Sequence, residues 1–313
     1  MRVLALALVA VAAFGCSGRS STPPPSRQRT ELVALSHDAY VWQRAWTGSV
    51  RAAVANAPAE LSGLRVLTLE VSRDGTTTAP AVDTASLVRA SRPITAVVRI
   101  DGSRLPVDLT LVPVLERIDR WRQAGVAVAG VEIDHDCATA ALTDYTAWLT
   151  TQRPAGLRFS ITALPTWATA PSATLADLAA AVDEIVLQVH AVRAPTIFDA
   201  RSARRWVEQF AAAVPSSTIR VALPTYKVAL GAARPTDVAA FLRSLEHDPV
   251  AGVTGIVWFR LPVATDRTAW PAPVLAAVIQ PRPSRPGSSG CEASAGGVRG
   301  APHSQREEPS HVR

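Results

Sequence analysis

The stretch Gly130-Val131-Glu132-Ile133-Asp134-His135-Asp136 sets three carboxylates two residues apart, with Val131, Ile133 and His135 at the positions between or beside them. Successive side chains of a strand point to opposite faces, so the three acids share one face. Crowded carboxylates raise the pKa of at least one member and cost stability, which points to ligand binding or acid–base work. The rival reading is a solvated edge strand or an ion-paired structural cluster.

Outward from this row, short apolar and β-branched runs recur at 39–43, 65–71, 94–100, 128–134, 157–163, 184–189, 219–223 and 255–259. Helical patterns separate them, clearest at 109–124, 143–152, 202–214 and 236–246. Start signals are expected at Ser172, at Ser202 and at Thr236-Asp237, whose side chains offer oxygens to free backbone donors. Strand followed by helix eight times over about 250 residues predicts an α/β fold, a single-domain (β/α)8 TIM-type barrel. Near-continuous apolar runs suit parallel strands buried on both faces. A doubly wound open sheet is the alternative, and no Gly-rich phosphate-binding turn follows the first strand to favour its nucleotide-binding versions.

Polar residues alternate at the strand ends: Thr68 and Glu70, Arg99 and Asp101, Asp134 and Asp136, Gln188 and His190, Trp258 and Arg260. In a β/α barrel these C-terminal ends assemble one mouth. Asp136, nearest the mouth, is the expected general acid; Asp134 and Glu132 beside it complete the catalytic set. Such a pair suits glycoside hydrolysis, in which one carboxyl protonates the leaving oxygen and the other stabilises or attacks the sugar carbon. Glu70, Arg99, Gln188, His190, Tyr226, Trp42, Trp258 and Arg260 are the expected substrate-binding residues, the arginines either pairing with the acids or holding an anionic group. Trp42, Trp46, Trp167, Trp258 and Trp270 are numerous beside three tyrosines, and indole faces stack on sugars as readily as they fill cores. His135 has the opposite parity to the acids, so a metal site shared with His190 and Asp136 is not expected, nor is any cofactor.

The ends carry a different message. Residues 1–15 hold Arg2, an apolar run and Gly15, with Cys16 next, a pattern that resembles a bacterial lipoprotein signal peptide; that resemblance implies lipidation at Cys16 and an exported, membrane-anchored protein facing the periplasm or cell surface. Residues 16–30 read as a flexible tether and 281–313 as a disordered tail, leaving 31–280 as the barrel domain. The net charge of +6 resides in these ends, since the segment between them has 23 basic and 23 acidic residues. The sequence pI near 10.0 therefore marks no nucleic-acid footprint, and nucleic acid is not an expected partner; a glycan and the membrane are, with no protein partner expected. Cys137 and Cys291 either bridge in an oxidising compartment or stay free.

The acidic row resembles the D-G-x-D-x-D-x-E strand of family 18 chitinase-like glycoside hydrolases, with Gly130, Glu132, Asp134 and Asp136 on matching positions. The resemblance implies a barrel in which Asp136 is the general acid and Asp134 positions the substrate's acetamido group as internal nucleophile, with Trp258 as a sugar platform. Ala129 stands where those enzymes have the leading acid, Asp136 is one methylene shorter than their glutamate, and Gln188 and His190 replace their Tyr-Asp pair. Taken in order, Tyr40-Val41-Trp42-Gln43-Arg44-Ala45-Trp46, Ile133-Asp134-His135-Asp136-Cys137, Leu164-Pro165-Thr166-Trp167 and Val257-Trp258-Phe259-Arg260-Leu261-Pro262 are similar to an uncharacterised bacterial family, domain of unknown function 3142, over most of residues 39–262. That resemblance implies a fold and supplies no reaction.

Overall fold

The computed structural model describes residues 32–190, 198–228 and 231–280. Eight parallel strands form a closed barrel: β1 (Ser36–Val41), β2 (Gly63–Val71), β3 (Ile94–Ile100), β4 (Val128–His135), β5 (Arg158–Ala163), β6 (Glu184–Gln188), β7 (Ile219–Pro224) and β8 (Val253–Phe259). Each pairs with its successor, and β1 closes the ring by pairing with both β2 and β8. After each strand comes a helix: α1 (Gly48–Ala55), α2 (Thr84–Ala90), α3 (Val112–Gln123), α4 (Leu142–Gln152), α5 (Ser172–Ala181), α6 (Ala200–Ala213), α7 (Pro235–His247) and α8 (Ala272–Ile279). The expected (β/α)8 barrel is therefore the fold. None of the helices among the described residues is long and apolar enough to cross a membrane.

The helices form because each has one apolar stripe to bury. Val114, Ile118 and Trp121 of α3, and Val207, Phe210 and Ala211 of α6, lie against the outer face of the sheet at helical spacing. Side-chain caps fall where the chain enters α1, α2 and α6, at Thr47, Asp83 and Asp199. The start signals expected at Ser202 and Ser172 are corrected: Asp199 accepts the Ser202 amide at 2.9 Å, and Ser172 is already helical behind Pro171. In α7, Pro235 opens the first turn, where an amide would have no intrahelical partner, and Asp237 lies within that turn. The strand expected at 39–43 begins three residues earlier, at Ser36, which brings His37 and Asp38 into β1.

Inside the barrel the side chains form three layers. At the floor, Arg65 of β2 is hydrogen-bonded to Asp38, Glu132 and Glu184, and Arg220 of β7 pairs with Asp38 at 3.1 Å and Glu184 at 3.0 Å. Gly255 makes room for this layer, since a Cβ there would lie 3.2 Å from Arg220 Cζ and 2.6 Å from the Ser36 oxygens. Above it, Tyr40, Val97, Val186, Ala222 and Val257 make an apolar septum. Above that opens the mouth.

One irregularity lets β2 serve two layers. Arg65 and Glu70 are five residues apart and would face opposite sides of a regular strand. The register against β3 slips between Leu67 and Leu69, and both side chains point into the barrel, one at the floor and one at the mouth.

Burial pushes Glu132 above the usual carboxylate range despite Arg65, whereas Glu184, held between Arg65 and Arg220, is pulled below it. Replacing Arg65 with Met removes a shared cation and leaves three floor carboxylates with fewer partners. Denaturant unfolding at pH 7 is expected to show a loss of about 3–5 kcal/mol. The deficit should shrink as pH falls, because acids left without their cation bind protons more readily in the folded chain than in the unfolded one.

Candidate active site

The mouth of the barrel encloses a cavity of about 380 Å³, lined by the C-terminal ends of all eight strands. Trp42 and Arg44 enter just after β1, Glu70 from β2, Arg99 and Asp101 from β3, Asp134 and Asp136 from β4. Thr162 and Leu164 follow from β5, Gln188 and His190 from β6, Tyr226 after β7, and Phe259 ends β8. Tyr40 contributes its ring from the septum below.

The acidic row has the predicted parity, and its three members sit at graded depths. Glu132 is fully buried at the floor, Asp134 has a side chain 6% exposed, and that of Asp136 is 38% exposed. Arg99 ties the upper two together: a single nitrogen, Nη1, donates to Asp134 Oδ2 at 2.8 Å and to Asp136 Oδ2 at 3.1 Å. Gln188 Nε2 bridges their other oxygens at 3.3 Å each. Thr162 Oγ1 donates to Asp134 Oδ1 at 2.8 Å. Burial, more than the like charge of Asp136, holds the Asp134 carboxyl above its ordinary range, against the opposing pull of Arg99.

An aromatic wall faces the acids. Phe259 is its centre, with the His190 ring stacked on it at 4.8 Å and Tyr40, Trp42 and Tyr226 meeting it edge-on at 5.4–6.0 Å between centroids. Tyr226 donates its hydroxyl to the His190 carbonyl at 3.0 Å, and burial lowers the His190 imidazole to about 4, so it is neutral at pH 7. Glu70 is held by Arg44 through a two-pronged ion pair. Four carboxylates against two guanidiniums make the mouth electronegative.

The remaining sequence expectations find other places. Glu132, expected in the catalytic set, is separated from the mouth by the septum; it accepts hydrogen bonds from Arg65 and from Tyr40 Oη, the latter at 2.6 Å. Trp258, expected as the sugar platform, faces the helices fully buried and donates Nε1 to His37 Nδ1 at 3.3 Å. The interior parity of β8 runs through Gly255, Val257 and Phe259, so Phe259 takes the position assigned to Trp258. Arg260 belongs to the parity of Trp258 and turns to Asp266 and Thr268 outside the central cavity. Trp46, Trp167 and Trp270 are core residues. His135, as expected from its parity, packs away from the mouth, its Nδ1 3.2 Å from the Ile100 carbonyl and its ring against Tyr145. Cys137 is buried, and its thiol is raised to about 12 by burial. Cys16 and Cys291 lie outside the described residues.

Sequence reasoning passed over Tyr40, Arg44, Thr162, Leu164 and Phe259. Thr162 and Phe259 had a signal, since each lies two residues above a small or β-branched interior residue, Ser160 and Val257. Arg44 lies beyond any strand and carries none.

The higher protonation tendency of Asp134 has a signed consequence. A carboxyl whose folded-state pKa is raised makes the folded state less stable as pH climbs past its unfolded value. Relative to the native chain, Asp134→Asn is therefore expected to gain in melting temperature from pH 4 to pH 7, as measured by calorimetry across that range.

Several solved structures share this architecture. The Bacillus cereus spore cortex-lytic enzyme SleL superposes with a TM-score of 0.59 at 13% identity, over 79% of this chain and 74% of that one. A chitinase from Chromobacterium violaceum gives 0.58 at 13% identity, over 79% and 98%. A fungal endo-beta-N-acetylglucosaminidase from glycosyl hydrolase family 18 gives 0.53 at 12% identity, over 78% and 96%. At such identities the likeness is one of fold, that of a (β/α)8 barrel. Among curated proteins none matches the chain. Residues 90–234, which carry every polar residue of the cavity from Arg99 to Tyr226, match the family described as Domain of unknown function (DUF3142).

Proposed function

We propose that this chain is an exported lipoprotein whose barrel binds a cell-envelope or extracellular glycan at its mouth and hydrolyses it, Asp136 acting as the acid and Asp134 supporting the substrate from below. The observation that carries this reading is the pair of aspartates bridged by one Arg99 nitrogen opposite an aromatic wall. Apolar sugar faces stack on aromatic rings while carboxylates and amides meet their hydroxyls, and the mouth offers the two on facing sides. The half-exposed Asp136 can reach a glycosidic oxygen. Asp134, buried and raised in pKa, holds a proton over a wider pH range than a free aspartate and can orient a polar substituent such as an acetamido group.

The spacing argues against an inverting mechanism in which a water is held between the two aspartates. Two oxygens that share one nitrogen at 2.8 and 3.1 Å are closer than the roughly 6.5–9.5 Å at which inverting hydrolases fit a water between their carboxyl groups. The negative field of the mouth disfavours polyanionic glycans and suits neutral or amine-bearing ones.

A second reading, a glycan-binding barrel without turnover, is favoured by one observation. The oxygens of Asp134 and Asp136 already accept hydrogen bonds from Arg99, Gln188 and Thr162, and the acid at 136 is a short one. Purified chain is to be incubated with chitin oligosaccharides, peptidoglycan fragments and exopolysaccharide, and product release and binding compared with Asp136→Asn. Removal of the acid is expected to lower turnover by about 10²–10⁴-fold with binding changed only a few-fold. Binding without product from the native chain would establish the second reading.

The lipid anchor rests on the Gly15-Cys16 junction after the apolar run. Expressed in a bacterium supplied with labelled fatty acid, the native chain is expected to take up label and Cys16→Ser to take up none.

A further inference from the structure

The central cavity adjoins two further cavities. On one side it shares Arg99, Asp101 and Asp136 with a cavity of about 760 Å³ bounded by Ser72, Arg73 and Ser103. On another it shares Trp42 and Arg44 with a cavity of about 370 Å³ that runs past Gln43 to Thr265 and Asp266. The first opening lies over the ends of β2, β3 and β4 and the second over the junction of β8 and β1, well apart around the ring of eight strands.

Both openings are shaped by fixed chain. Gly102, at φ 102°, lets Arg73 pack where a Cβ would come within 3.1 Å of its Cγ, and the Ala138 amide donates to the Ser103 carbonyl at 3.1 Å. Across the mouth, Asp266 is held by Arg260 and accepts the Thr268 amide at 3.0 Å. Asp136 stands at the boundary between the central chamber and the larger outer one, so space for ligand exists on both sides of it. A pocket that recognises a chain end needs a wall beyond its catalytic group. Among the described residues no such wall stands beyond Asp136.

We propose that the mouth grips the interior of a glycan chain, which enters over Trp42, crosses Asp136 and leaves between Arg73 and Ser103. This rests on the glycan reading above and adds to it the mode of binding: a polymer seized between its ends, with sugar residues on both sides of the aspartate. A disaccharide fills the central chamber alone, whereas a longer chain also occupies the flanks.

The test measures affinities of the full chain for the disaccharide and hexasaccharide of N-acetylglucosamine, and for a hexasaccharide methylated at both ends. The hexasaccharide is expected to bind at least about tenfold tighter than the disaccharide, with the end-blocked form equal to it. Ser103→Trp and Thr265→Trp each fill one exposed flank, and each is expected to reduce hexasaccharide affinity while leaving the disaccharide unchanged. Equal affinity for the two lengths, or loss of binding on blocking the ends, overturns the proposal and leaves the glycan reading standing. Binding of neither length overturns this proposal and, for glycans of N-acetylglucosamine, the reading on which it rests.

Discussion

Arg65 occupies the axis of the barrel, and the rest of the interior is arranged around it. Its guanidinium, 2% exposed, is held by acids from three strands, Asp38 of β1, Glu132 of β4 and Glu184 of β6. Burying a charge is unfavourable unless it is paired and its hydrogen bonds are satisfied, and a guanidinium with five donors in a fixed fork can serve several carboxylates at once. A second cation, Arg220, meets Asp38 and Glu184 from the opposite wall, while Arg158 approaches Glu184 from the rim of the floor at 3.5 Å. Strands that are distant in the sequence are thereby held in one relative register. A slip of one residue in β4 would carry Glu132 out among the apolar helices, so the ionic floor and the apolar shell oppose the same error.

The eight strands, the barrel and the parity of the acidic row were legible because they follow from local pattern. Val131, Ile133 and His135 had to pack outward, which left Glu132, Asp134 and Asp136 inward. The division of labour within that row was not legible. Whether an inward acid meets a buried arginine or a cavity depends on its height along the barrel and on Arg65, whose parity in β2 conflicts with that of Glu70 until the slip between Leu67 and Leu69 is known. The same limit misplaced Trp258. In β8 the resemblance pointed to the indole of Trp258, yet the interior face is set by Gly255, needed small beside Arg220, and it passes through Val257 to Phe259. The resemblance to family 18 drew the assignment to one face and floor packing put the mouth on the other.

Floor and mouth are connected through one residue. Tyr40 lends its ring to the aromatic wall, 5.6 Å from Trp42 and 5.7 Å from Phe259, and reaches downward with its hydroxyl to Glu132 at 2.6 Å. Glu132 is in turn fixed by Arg65. The orientation of the Tyr40 ring within the aromatic wall is therefore set by a hydrogen bond made beneath the septum, away from solvent. Tyr40 is fully buried and its hydroxyl is pushed well above the normal phenol range, so it remains a donor across the physiological pH range.

This connection explains why a carboxylate at position 132 belongs to the functional story although it lies outside the cavity. An apolar residue there would deprive both Arg65 and the Tyr40 hydroxyl of a partner, and the ring would be free to turn about its side-chain bonds. Preorganised sites owe their precision to such supporting contacts, since a stacking surface that must be ordered on binding weakens the affinity it provides. The three acids read first in the sequence thus act at three heights along one strand. Glu132 holds the scaffold and the wall, Asp134 lies above the septum with its proton favoured by burial, and Asp136 stands half-exposed at the open end of the cavity, joined to Asp134 by the nitrogen of Arg99.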